Sequence, residues 1–133
     1  DQGLWKAPSL VRYCVDQQGR TETFPDQPKQ RVISPQSSAL VRQLMEKVIT
    51  EGSGQSAAVP EVPVAGKTGT SQTGILDEET TPPREILNAW FGGYFPADDP
   101  RFAIVVLVED GESGSQNAAP VFRDIVQGML QYY

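Results

Sequence analysis

Leu40, Val41, Leu44, Met45, Val48 and Ile49 recur at a four-residue step, the spacing that gathers side chains on one face of an α-helix. Ser34 and Pro35 offer an N-cap followed by a proline at the first helical position, and Gly52 ends the run. The pattern therefore predicts a helix over residues 35–51, with its stripe buried in the core. A second stripe, Phe122, Ile125, Val126, Met129, Leu130 and Tyr133, predicts a last helix capped by Asn117. Between them the composition turns β-branched, and residues 62–71, 86–95 and 102–108 read as strands. Pro96-Ala97-Asp98-Asp99-Pro100 supplies turn residues for an antiparallel hairpin between the last two. The run AIVVLV, apolar on both faces, predicts a central strand covered twice. Upstream, residues 10–15 and 21–24 flank Gln17-Gln18-Gly19-Arg20 and predict a hairpin or a pair of extended segments. Residues 52–56 read as a flexible connector, and residues 74–84, GILDEETTPPR, as an exposed loop. The expected class is α+β, an antiparallel sheet of at least three strands covered by helices.

Composition narrows the chemistry. The chain has 133 residues and 38% apolar content, enough for one packed core. It shows no apolar run of the ~18 residues that a bilayer span needs, and nothing at its start reads as a signal peptide. It opens at Asp1 without a methionine, so an excised or processed origin is expected, with any targeting segment upstream. Residues 1–66 carry seven basic and seven acidic side chains, residues 67–133 four and ten. An acidic half cannot release counterions from a phosphate backbone, which argues against nucleic acid as a partner. There is no histidine and only one cysteine, Cys14, so neither a Cys/His zinc site nor a histidine-based triad can be built from this chain. Cys14 is expected as buried filling between Tyr13 and Val15 rather than as a reactive thiol. Asp77, Glu78 and Glu79 are expected as a solvated charge run rather than a metal site. No metal and no cofactor are expected.

The densest chemistry lies in VPVAGKTGTSQTG, residues 62–74. Gly66-Lys67-Thr68 matches the end of a phosphate-binding loop, but the earlier glycine that such a loop requires falls on Glu61, whose charge would repel a phosphate. The alternative is a strand that receives an anionic, carbonyl-bearing substrate. Alternation puts Lys67 and Gly69 on one face and Thr68 and Thr70 on the other. Glycine there leaves room for a second backbone, threonine hydroxyls can bind a carboxylate, and a strand amide can serve as an oxyanion donor. A surface strand bearing a solvated lysine is the plainer reading of so short a motif. Trp90 and Phe91 are read as ordinary sheet and core aromatics, and Gly92 and Gly93 as room behind the site strand.

AGKTGTSQ, followed by NAWFGGYFPADDPRFAIVVLVED, a glycine-rich loop and NAAPVFRDI, resembles the C-terminal part of the transpeptidase domain of penicillin-binding proteins, the class B type more than the bifunctional type. The resemblance implies a partial penicillin-binding, serine β-lactamase-like fold. It also implies that residues 1–133 are the C-terminal portion of one domain, whose N-terminal part lies upstream. That family uses Ser-x-x-Lys, Ser-x-Asn and Lys-Thr-Gly in chain order. Lys67 to Thr70 match the third motif. Ser-x-x-Lys is absent, and Ser9-Leu10-Val11-Arg12 ends in an arginine that cannot act as a base. Ser115-Gln116-Asn117 has the Ser-x-Asn shape but follows the third motif, and is read as coincidence. The resemblance implies a D,D-transpeptidase that cross-links peptidoglycan stem peptides and binds β-lactams, held at the extracytoplasmic face of the bacterial membrane by an upstream anchor. Within it, Lys67 and Thr70 would be catalytic, and Thr68, Gly69 and Thr70 would bind substrate. The fragment alone would be inactive. A β-lactam-sensing receptor or a non-catalytic scaffold of the same fold is the alternative.

Overall fold

The computed structural model describes residues 2–132 and consists of two compact units, Asp1–Val41 and Arg42–Tyr133. In the first, β1 (Leu4–Trp5) pairs antiparallel with β4 (Gln30–Arg31), and β2 (Tyr13–Val15) pairs with β3 (Thr21–Thr23). The second pair is the expected hairpin. Its turn is held by Asp16, whose Oδ1 accepts from the Gln18 and Arg20 amides at 2.9 Å and whose Oδ2 accepts from Arg20 Nε at 2.6 Å. The hydrogen bonds from Arg20 hold the Asp16 carboxyl below the usual carboxylate range. Gly19 takes the left-handed conformation, φ +78°, that this turn needs. Cys14 is exposed, not buried. All six residues of the β2–β3 ribbon are exposed, and none of the described elements covers the thiol.

Helix α1 (Pro35–Thr50) starts as expected, with the Ser37 amide donating to Ser34 Oγ at 3.0 Å. Its stripe is not buried as expected. Only Ile49 joins the core, while Leu40, Val41 and Leu44 remain about half exposed. The core begins at the last turn of α1, where Ile49 joins Val59, Val64 and Phe91 in one apolar cluster.

The second unit is built on β5 (Ala65–Asp77), β6 (Arg84–Phe95) and β7 (Phe102–Val108), all antiparallel in the order β5-β6-β7. Two successive hairpins make β6 the central strand, so AIVVLV is not central; Val105 is 71% and Leu107 43% exposed. The expected loop at 74–84 is also shorter than its composition suggests. Strand β5 continues through a bulge between Gln72 and Leu76 to Asp77, and β6 begins at Arg84. Polar side chains hold this arm together. Thr73 Oγ1 donates to the Ile86 carbonyl at 2.6 Å, and Glu85 accepts from Gln72 Nε2 and the Gly74 amide.

One face of the sheet is covered by α2 (Ala119–Leu130). Phe91, Phe122 and Val126 are the largest fully buried side chains, and the rings of Phe91 and Phe122 lie 4.7 Å apart. Asn117 does not cap this helix. A π-helical turn, Gly114–Ala118, extends it backwards, and Ser113 Oγ takes the cap by accepting from the Gln116 amide. Asn117 Oδ1 accepts from the Ser113 amide instead, at 3.1 Å. Phe122 and Val126 fill the stripe as expected, Ile125 stays partly exposed, and Tyr133 lies outside the described residues.

Candidate functional site

Lys67, Thr68, Gly69 and Thr70 lie on β5, an outer strand of the described sheet. The register sets Lys67 against Gly92 and Gly69 against Trp90, with Thr68 against Phe91 and Thr70 against Ala89. Opposed residues of an antiparallel pair share a face, so Lys67 and Gly69 lie on one side and the threonines on the side of Phe91. Lys67 and Thr70 are exposed, and Thr68 and Gly69 are half-buried. Lys67 Nζ donates to the Thr68 carbonyl at 2.6 Å, and the Oγ atoms of Thr68 and Ser53 lie 2.7 Å apart.

Glycines permit this arrangement where backbone or an aromatic ring comes close. A Cβ on Gly66 would lie 2.5 Å from Phe91 Cζ, inside the ring that anchors the core. A Cβ on Gly114 would lie 2.3 Å from the Trp90 carbonyl oxygen, 2.6 Å from that of Gly69 and 2.9 Å from the Gly69 nitrogen. The turn before α2 is thus seated on the backbone of the motif glycine. Trp90 stands over the same residue, its Cβ 3.4 Å from the position a Gly69 Cβ would take, and its Nε1 donates to Ser71 Oγ at 3.0 Å. Phe91 is fully buried in the core, as expected, whereas Trp90, 36% exposed, lies on the sheet outside the core. Of the paired glycines only Gly93 is crowded, by the Ala65 carbonyl oxygen and the Phe122 ring; Gly92 faces open space.

Ser115 and Asn117 are engaged within their own turn, Ser115 Oγ with Ser113 Oγ at 3.2 Å and Asn117 with the Ser113 amide. Asp77 meets Arg84 Nε at 3.4 Å, and no group of three metal-ligating side chains occurs among the described residues. Two contributors escaped the sequence reading. Ser53 sits in the stretch read as a flexible connector, and Gly114 in the loop before the last helix. The Gly-Ser-Gly spelling around Ser53 was a local signal of a tight turn, but nothing local to it points at Thr68.

Known proteins resemble this chain in sequence and in fold. The peptidoglycan D,D-transpeptidase PbpA of Mycobacterium tuberculosis is 38% identical over 111 residues, covering 77% of this chain and 21% of the relative. Stage V sporulation protein D of Bacillus subtilis is 35% identical over 134 residues, covering 96% and 20%. The chain therefore spans about a fifth of the length of these curated relatives. Among solved structures, the D,D-transpeptidase domain of a peptidoglycan glycosyltransferase from Eggerthella lenta matches with a TM-score of 0.81 at 27% identity, covering 99% of this chain and 29% of that one. Penicillin binding protein 3 from Mycobacterium tuberculosis complexed with ampicillin matches with a TM-score of 0.78 at 28% identity, covering 98% and 31%. The family model of the penicillin binding protein transpeptidase domain matches residues 1–127, and the chain belongs to that family.

Proposed function

We propose that residues 1–133 form the C-terminal portion of a serine-type D,D-transpeptidase domain, which cross-links peptidoglycan stem peptides by acyl transfer and is acylated by β-lactams. The observation that carries this reading is Lys-Thr-Gly-Thr on an outer strand, with Lys67 and Thr70 exposed and the Gly114 turn seated against the Gly69 backbone. In the longer protein a serine outside this sequence attacks the carbonyl carbon between two D-alanines. The C–N bond breaks, and the leaving D-alanine takes a proton. An amine of a second stem then attacks the resulting ester, and the serine oxygen leaves and is reprotonated.

Within that reaction Lys67 adds positive potential beside the reacting groups, and the hydroxyls of Thr68 and Thr70 hold the carboxylate of the stem peptide or antibiotic. The Thr70 amide is one oxyanion donor, a role worth roughly 3 kcal/mol of barrier where such donors have been removed. A site of this kind works at the extracytoplasmic face of the membrane, reached through an anchor elsewhere in the protein.

In the longer protein, Lys67→Ala should slow acylation by a fluorescent penicillin by orders of magnitude with the melting temperature held within a few degrees, because an exposed lysine contributes little to packing. Equal acylation rates would overturn the assignment. The polypeptide of residues 1–133 alone should form no covalent adduct, and a stoichiometric penicilloyl serine on it by mass spectrometry would overturn the placement of the nucleophile outside it.

A further inference from the structure

Ser53 follows the last turn of α1, where its position is built by the two glycines around it. The Gly54 amide donates to the Val48 carbonyl at 2.9 Å. A Cβ on Gly52 would lie 2.9 Å from Val48 Cα, and one on Gly54 would lie 2.8 Å from Val48 Cγ1. Neither position tolerates a side chain without moving the turn, so the chain folds back on Val48 and delivers Ser53 to the site strand. Its Oγ lies 2.7 Å from Thr68 Oγ1, across a separation of 15 residues.

We propose that Ser53 is a positioning residue for ligand capture, donating its hydroxyl hydrogen to Thr68 Oγ1 so that the hydrogen of Thr68 is turned toward the ligand carboxylate. The inference rests on the reading of Thr68 as a carboxylate-binding residue. The distance alone lets either hydroxyl donate, but the chemistry of the ligand decides the direction. An ionised carboxylate only accepts, and a threonine hydroxyl has a single hydrogen. With that hydrogen spent on the carboxylate, Thr68 can only accept from Ser53. The two bonds then run the same way, Ser53 to Thr68 to carboxylate, and each polarises the next. Without Ser53 the Thr68 hydroxyl keeps its bonding capacity but loses its preset direction, so the loss falls on binding rather than on the bond-making step.

The test measures acylation of the longer protein by a fluorescent penicillin, resolved into the dissociation constant of the precovalent complex and the maximal acylation rate. Ser53→Ala should weaken the complex about three- to tenfold, the range of one net hydrogen bond, with the maximal rate nearly unchanged and the melting temperature within a few degrees. Ser53→Thr, which keeps the donor, should restore wild-type capture. In a Thr68→Val background, Ser53→Ala should cost nothing further, because the relay is already cut. Wild-type capture by Ser53→Ala, or an equal loss in both backgrounds, would overturn the relay even if Lys67→Ala abolished acylation. If Lys67→Ala and Thr68→Val are both acylated at the wild-type rate, the functional reading of the strand fails and the relay fails with it.

Discussion

Gly114→Ala puts the seating of the site strand to the test. The new Cβ would sit 2.3 Å from the Trp90 carbonyl oxygen, where ordinary contact begins at 3.4 Å, and 2.6 and 2.9 Å from the Gly69 oxygen and nitrogen. All three obstacles are backbone atoms of paired strands, so no side chain can swing aside. Either the turn at Gly114–Ala118 lifts by about 1 Å or the strands bend, and overpacking of this kind costs about 1–3 kcal/mol. The displaced atoms belong to Gly69, next to the Thr70 amide and hydroxyl. A misplacement of about 1 Å at a reacting centre can cost about 10²-fold in rate. In the longer protein, Gly114→Ala should therefore lower both the melting temperature, by several degrees, and the penicillin acylation rate, by about ten- to a hundredfold. Gly128→Ala is the matched control. Its Cβ meets nothing within 4 Å, and alanine is favoured over glycine within a helix by roughly 0.5–1 kcal/mol. It should raise stability slightly and leave acylation alone. If Gly114→Ala melts and reacts like the wild type, the turn is not seated on the motif glycine and the argument from close packing fails.

Phe122→Ala removes a fully buried ring that packs against Phe91 at a tilt of 49°. Aromatic truncations in cores cost about 3–5 kcal/mol, so chemical denaturation should show a loss of that order. Thr70→Ser keeps hydroxyl and amide and should be mild, whereas Thr70→Val keeps the amide alone and should weaken β-lactam capture; equal capture by the two would remove the Thr70 hydroxyl from the site. Tyr94 has its phenol pushed up from the ordinary value of 10.0, first by burial and then by Glu46. A raised phenol pKa means that the unfolded chain loses its proton first. Its contribution is therefore intact below pH 10 and lost as pH rises through the higher folded value. Tyr94→Phe should flatten the fall of melting temperature above pH 10, and an unchanged profile would contradict the assignment.

What the sequence revealed and what it hid follow one physical division. Alternation, periodicity and turn residues are local, so both helices, the early hairpin and strand β7 were legible to within a few residues, and the Lys67–Thr70 motif could be placed on a strand. Which surface covers an apolar run is not local. Leu40, Val41, Val105 and Leu107 are as apolar as a core stripe requires, yet the described elements do not bury them. The resemblance identified the motif, and it implied a parent domain larger than this chain. It could not reveal how the motif is held, because that depends on residues brought together from three separate stretches. Gly66 admits the Phe91 ring, Gly114 admits the backbone of Gly69, and Gly52 and Gly54 let Ser53 reach Thr68. In sequence these glycines look like loop or strand punctuation, and a propensity argument counts each as a weakness. In the fold each marks a place where another part of the chain must come closer than a Cβ allows. The site strand is thus fixed as much by side chains that are missing as by those that bind, which is why Gly114, with no chemistry of its own, should disturb acylation while Gly128, whose Cβ would face open space, should not.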